Sequence, residues 1–220
     1  MSGRTIRFYF DFISPYAYLA WTQIRALAAR HEAEVEPVPV LFAALLNAHG
    51  TKGPAEVPAK RLWVFRDTFR HAAYLNLPFA PPPAHPFNPL LALRVSSTEL
   101  PPGARLDLID RLFRATWGGG PGVIDPVVVS MLIAEGGLDP ERVMAEAATS
   151  AVKDRVRANT DHAISLDVFG VPTMEVGDER FWGFDSLIHV ERHLEGRDPM
   201  RDVDLERWRN LPAASHRTVK

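Results

Sequence analysis

An α/β fold divided by an all-helical insertion is what this sequence predicts, and three observations carry it. A short apolar strand, Phe8-Tyr9-Phe10-Asp11-Phe12, runs straight into Ser14-Pro15 and restarts as an apolar helix. Far along the chain a β-type run begins at the Val171-Pro172 bond and turns through Gly177-Asp178. It returns over residues 180–184 and gives way to a last helix opened by Asp185-Ser186. Between these ends, residues 41–151 carry apolar residues at helical period, punctuated by Pro and Gly.

In chain order, residues 6–12 read as the first strand and residues 15–30 as a helix, with Tyr18, Leu19, Thr22, Ile24 and Leu27 near helical spacing. Residues 35–40 form a second strand, parallel to the first across that helix, which makes a right-handed βαβ unit. Residues 47–58 hold Gly50, Gly53, Pro54 and Pro58 and read as a loop. The next helix, 58–75, places Leu62, Phe65, Phe69 and Ala72 with Ala73 on one face. A proline-dense connection, 78–86, leads to helices at 89–99, 105–117, 127–134 and 140–149. The run Gly118 to Gly122 reads as a surface connector, or alternatively as a mobile lid edge. Residues 152–166 form a long returning helix. After Gly196 the chain alternates charges, as in Arg197, Asp198, Arg201, Asp202 and Asp204, and reads as a solvated tail or one that wraps a neighbouring subunit.

Composition narrows the function. The chain has 220 residues, 46% hydrophobic and 24% charged, ordinary values for a soluble globular protein. A formal net charge of −2 gives no electrostatic reason to expect nucleic acid or an anionic membrane as partner. With no cysteine, disulfides, thiolate metal sites and a protein-borne thiol nucleophile are excluded, so any sulfur chemistry must use a borrowed thiol. No signal peptide is apparent, and no window approaches the ~20 apolar residues that span a bilayer. The cytoplasm is the expected location.

Two short segments carry the chemistry. A strand that stops at Ser14-Pro15 aims the first helical N–H groups and the Ser14 hydroxyl at whatever docks there, which suits an anion; the plain alternative is that Ser14 only caps a core helix. Pro172 opens a strand either as an ordinary edge start or through a cis bond that leaves the Val171 backbone free to pair with an extended ligand. A serine nucleophile needs an adjacent base, and no histidine stands next to Ser14 in sequence.

The Ser14-Pro15-Tyr16-Ala17 turn, Gly170-Val171-Pro172-Thr173 and Phe181-Trp182-Gly183-Phe184-Asp185-Ser186 together resemble the glutathione-binding half-sites of the DsbA-like, kappa-class glutathione transferase fold. More narrowly the chain resembles the 2-hydroxychromene-2-carboxylate isomerase family, over roughly residues 6–195. The disulfide oxidoreductases of that superfamily carry Cys-x-x-Cys where this chain has Ser14 to Ala17, so their redox chemistry is absent. The resemblance implies a thioredoxin fold with an inserted helical domain: residues 1–40 and 152–220 form the thioredoxin-like part and 41–151 the insertion.

It also implies glutathione as cofactor, a small aromatic acid as substrate and a homodimer. Ser14 is then the catalytic residue, a donor that stabilises bound sulfur. Ser14, Val171, Pro172, Trp182, Asp185 and Ser186 bind glutathione, with Val171 pairing the cysteinyl portion and Asp185 and Ser186 holding the γ-glutamyl group. Lys52 and Gly53 match, approximately, a family run Asn-Arg/Lys-Pro-Pro that contacts substrate, although Thr51 and Gly53 replace its Asn and first Pro. Asn88, in Phe87-Asn88-Pro89, matches a further position near the pocket. Lys60, Arg61 and Arg66 are alternative cations, and Trp63, Phe65 and Phe87 are candidate walls. For Asp185 and Ser186 a plain helix cap, and for Trp182 core packing, are the alternatives. Two rival functions stay open: a kappa-like glutathione transferase or peroxidase, and a non-catalytic thioredoxin-fold protein that binds peptides along the Val171 edge.

Overall fold

The computed structural model describes residues 4–212 and residue 214. Its centre is strand β1 (Arg4–Phe10), which is hydrogen-bonded on both sides. Helix α1 (Pro15–Arg30) carries the chain over to β2 (Ala33–Pro39), which pairs with β1 in parallel, Phe8 opposite Pro37. Pro37 and Pro39 lack the N–H that an interior strand needs, and β2 accordingly lies at the sheet edge. The other half comes from the far end of the chain: β3 (Thr173–Val176) and β4 (Glu179–Trp182) form an antiparallel hairpin, and β3 lies antiparallel to β1. Strand order is β2-β1-β3-β4.

Period-two alternation in β1 splits the core between two faces. Ile6, Phe8 and Phe10 face α1 and α5 (Pro102–Trp117), where Phe10 meets Phe12, Trp21 and Phe113 with ring centroids 5.3–6.0 Å apart. Tyr9 faces the opposite way, into a cluster with Val38, Leu45, Ala163 and Val171 formed with α2 (Phe42–Ala48) and α8 (Ser150–Ser165). Both faces of the central strand are therefore covered, and the turn that follows it is fixed from two sides.

Between β2 and α8 the chain is helical: α2, then α3 (Pro58–Tyr74), α4 (Leu90–Val95), α5, α6 (Pro126–Glu135) and α7 (Pro140–Ala147). After β4 a short 3-10 turn, Phe184–Ser186, opens α9 (Leu187–Leu194).

Several boundaries differ from the sequence reading, each for a local reason. The first strand ends at Phe10, because Asp11 begins a turn in which its carbonyl accepts from Ser14 N–H at 3.1 Å. The helix expected over 89–99 is regular only to Val95: the Ser96, Ser97 and Thr98 hydroxyls bond back to the Ala92, Leu93 and Val95 carbonyls and compete with helix continuation. Helix α3 is present, but Leu62 and Phe69 point to solvent at 55% and 60% exposure, while Thr68 and Ala72 are buried. Ala72 and Phe65 pack into the core from this helix, and the Tyr16 hydroxyl donates to Asp67 at 2.8 Å, a long-range contact that sequence period does not register. The glycine run packs back onto α5: Gly118 N–H and Gly122 N–H donate to the Arg114 and Ala115 carbonyls, and a Cβ on Gly120 would lie 2.7 Å from Ala115 Cα.

Candidate active site

Helix α1 begins where β1 ends, at the carboxyl edge of the sheet. Ser14 has extended backbone dihedrals and caps the helix: its Oγ accepts from Ala17 N–H at 3.2 Å, with Pro15 in the first helical position. The same hydroxyl donates to the Val171 carbonyl, also at 3.2 Å, across 157 residues of sequence. Ser14 is 8% exposed. Of the first-turn donors, Pro15 has none, Ala17 N–H is taken by Ser14 Oγ and Tyr18 N–H by the Ser14 carbonyl. The Tyr16 N–H has no acceptor among the described residues. Neither has the N–H of Val171.

The Val171–Pro172 peptide is cis, one of the two readings the sequence left open. Around it the loop is tightly held: Thr173 Oγ1 donates to the Gly170 carbonyl at 2.7 Å and Gly183 N–H to the Pro172 carbonyl at 2.9 Å. Gly170 is required, since any Cβ there would run into the Trp182 indole. Trp182 packs edge-on against Phe169 at 4.9 Å, and both rings are about half exposed, so Trp182 is a surface wall beside this loop and not a core residue. Gly183 sits at φ +96°, a left-handed conformation, with the Asp185 carboxylate lying over it. Asp185 is exposed, while the Ser186 hydroxyl is engaged with the Trp182 carbonyl at 2.6 Å.

Ser14, Val171 and Pro172 are thus in direct contact, and Trp182, Asp185 and Ser186 continue the same loop. The other expected residues make contacts of their own away from this pair of segments. Gly53 is buried, donates to Glu56 Oε1 at 2.7 Å and lies against Phe42 and Leu46 of α2, while neighbouring Lys52 is exposed. Asn88 is exposed and its Oδ1 accepts from Leu90 N–H at 3.0 Å, a local cap on α4. Lys60, Arg61, Trp63 and Arg66 lie exposed on α3, and Arg61 donates to the His85 carbonyl at 2.6 Å.

Residues 5–195 match the model of the DSBA-like thioredoxin domain. The chain belongs to the DSBA-like thioredoxin family. Within that family it is 30% identical to a 2-hydroxychromene-2-carboxylate isomerase of Pseudomonas putida over 91% of this chain and 98% of that protein. It is 26% identical to glutathione S-transferase kappa 1 of Caenorhabditis elegans, covering 90% and 93%. A solved structure of a 2-hydroxychromene-2-carboxylate isomerase superposes with a TM-score of 0.81 at 26% identity, over 91% of this chain and 98% of that one. In this DSBA-like chain the helix-capping residue of the first turn is a serine, so no thiol of its own stands at the end of β1.

Sequence reasoning passed over three residues at this turn. Asp11 is 1% exposed and has no cationic partner among the described residues; its Oδ1 accepts from Ile13 N–H at 3.1 Å and its Oδ2 from Phe42 N–H at 3.0 Å. Burial pushes its carboxyl up to about 7, with the two backbone donors pulling the other way. The signal was a lone carboxylate inside an otherwise apolar run. His85 Nε2 lies 3.0 Å from the Ile13 carbonyl, within reach of the Phe65, Trp117 and Phe87 rings, and burial pulls it below the ordinary imidazole range. Tyr16 is held by Asp67; burial, then that bond, then the nearby Asp185 charge push its hydroxyl above the ordinary tyrosine range.

A separate cleft, of about 840 Å³, lies away from this turn at the opposite end of the sheet, between Arg4, Arg7, Glu175, Asp178 and His193. Among the described residues no group of three or more His, Cys, Asp or Glu is arranged to hold a metal ion, and no helix is long and apolar enough to cross a membrane.

Proposed function

We propose that this protein is a glutathione-dependent isomerase of an aromatic acid, interconverting 2-hydroxychromene-2-carboxylate and trans-o-hydroxybenzylidenepyruvate or a closely related pair. The observation that carries the reading is the contact between the α1 cap and the Val171–Pro172 loop: Ser14 Oγ meets the Val171 carbonyl, and the adjoining N–H groups of Tyr16 and Val171 have no acceptor among the described residues. Those donors fit a thiolate and a peptide backbone, and the Gly170 and Gly183 positions keep side-chain bulk out of the same loop. Relatives named as isomerases and as kappa-class transferases, matching over nearly the whole chain, support it further.

When bound, glutathione supplies a thiolate that adds reversibly to an electrophilic carbon and departs, with no net redox change. The chain's own residues do the rest. The N-terminus of α1 and the Ser14 hydroxyl, on turning its hydrogen from the Val171 carbonyl to the ligand, stabilise negative charge on sulfur, whose free pKa of about 8.5 leaves it mostly protonated near neutrality. Val171 binds through its backbone, Asp185 and Ser186 hold the ammonium and carboxylate of the γ-glutamyl end, and Trp182 covers it. Lys52, Gly53 and Asn88 are assigned to the aromatic acid, with Lys52 opposite its carboxylate. In this reading the protein is a cytoplasmic homodimer, and residues 41–151 form a helical domain inserted into the thioredoxin-like part.

The test is turnover of 2-hydroxychromene-2-carboxylate with and without glutathione. Ser14→Ala is expected to lower kcat by about 100-fold while changing glutathione affinity only a few-fold, because the backbone and Asp185 contacts remain. Unchanged turnover removes Ser14 from the chemistry. The kappa-class relatives favour a second reading, irreversible conjugation, which predicts glutathione consumption with a generic aryl halide.

A further inference from the structure

Ile13, the residue before Ser14, has both of its backbone polar groups bound by side chains. Its N–H goes to Asp11 Oδ1 and its carbonyl to His85 Nε2. Each of those side chains, in turn, belongs to a second segment. The other oxygen of Asp11 takes the Phe42 N–H at the start of α2, whose own cap position, Leu41, has no side-chain acceptor. Helix α2 leads directly into the loop that holds Lys52 and Gly53. His85 stands three residues before Asn88, and its carbonyl is tied to Arg61 of α3.

We propose that Asp11 and His85 are positioning residues that join the Ser14 turn, through Ile13, to the two segments assigned to the aromatic acid, so that sulfur and acceptor carbon are held in one geometry. The inference rests on the functional reading above and adds to it the device that aligns its two halves.

The chemistry of each side chain supports this. Burying a carboxyl without a cation is costly, and at Asp11 both oxygens are used, each accepting a backbone N–H from a different segment. An amide at position 11 offers one acceptor and turns a donor toward the second N–H, so the isosteric change still breaks a link. At position 85 the partner is a carbonyl, which only accepts; Nε2 therefore carries a hydrogen in either charge state of the ring. Burial among three aromatic rings disfavours the charged form. Its Nδ1 is buried with no partner among the described residues. A glutamine amide can donate to the same carbonyl, whereas leucine cannot.

The experiment compares the full chain with Asp11→Asn, His85→Leu and His85→Gln. It measures glutathione affinity by calorimetry, kcat for the isomerisation, and hydrogen exchange with and without glutathione. Asp11→Asn and His85→Leu are expected to bind glutathione within about threefold of the parent and to lose at least about tenfold in kcat, since small misplacements of reacting groups cost that much or more. His85→Gln recovers most of the loss. In the parent, glutathione slows exchange at the α2 start and at Phe87–Leu90; Asp11→Asn abolishes the first effect and His85→Leu the second. If the parent binds no glutathione, the functional reading falls and takes this coupling with it. If it binds with no protection at either segment, or if glutamine at position 85 behaves as leucine does, the coupling alone is overturned.

Discussion

The two ends of the central sheet are built on opposite principles. From mid-strand toward the amino end of β1, charges satisfy one another across strands: Arg7 pairs with Glu36 of β2 at 3.1 Å and with Glu175 of β3 at 3.5 Å, and Glu175 also accepts from the hydroxyl of Tyr9, nearer the carboxyl end, at 2.6 Å. Beyond β3, His193 and Asp198 meet at 2.9 Å. The cleft of about 840 Å³ lies at this end. At the carboxyl end the groups are few and mostly backbone, and two N–H donors beside Ser14 are left open. Volume therefore marks where packing is loose, while unsatisfied donors mark where a ligand has something to gain. A cleft whose Arg7 and Glu175 are already paired offers little that a solute does not have to displace.

The contrast is sharpest in pH dependence. Asp11, at the carboxyl end, is buried and titrates at about 7 against its ordinary 3.8. Between about pH 4 and 7 the native protein holds a proton there that the unfolded chain has released, so unfolding free energy falls as pH rises. At 1.36 kcal/mol per unit the contribution amounts to about 4 kcal/mol by pH 8. Chemical denaturation from pH 5 to 8 is expected to show declining stability, and Asp11→Asn to flatten that decline; a slope unchanged by the substitution places the titration elsewhere. Asp198, at the charged end, works in the opposite sense. Met200 N–H, then His193, hold it below the usual carboxylate range, so its contribution disappears only as pH drops through and below 3.8.

Backbone conformation provides a smaller effect. Gly183→Ala puts a side chain at φ +96° and into the Asp185 carboxylate. It is expected to cost about 1–2 kcal/mol in urea unfolding and to weaken glutathione binding through displacement of Asp185. Stability and binding that both match the parent contradict the placement of Asp185 in this loop. The smallest effect belongs to Arg7→Ala, whose guanidinium is 44% exposed: about 1 kcal/mol or less in stability, reduced further by salt, with turnover unaltered. A loss of turnover in that variant means that the charged end takes part in function.

How much of this was legible in sequence follows from the range of the interactions. The Ser14-Pro15 helix start, the Val171-Pro172 strand, the hairpin and the Asp185-Ser186 helix opening all arise from neighbours along the chain, and each stands where expected. Helix α3 was readable as a helix but not in the face it buries, because what meets that face is distant in sequence, as in the Tyr16–Asp67 bond across 51 residues. Helix α4 was overextended because Ser96, Ser97 and Thr98 count as helix-compatible until their hydroxyls are seen on the preceding carbonyls. Asp11 and His85 escaped notice for the same reason: their partners lie 31 and 72 residues away, and only the apolar run around Asp11 marks either of them locally.

The central claim is that this cysteine-free chain stabilises a thiolate at the Ser14 end of α1. The most direct measurement is the pKa of the glutathione thiol when bound, followed by thiolate ultraviolet absorbance in the parent and in Ser14→Ala. The account predicts a bound value at least about one unit below the free thiol's ~8.5, returning toward it in the variant. A bound thiol that titrates like the free one in both proteins contradicts it.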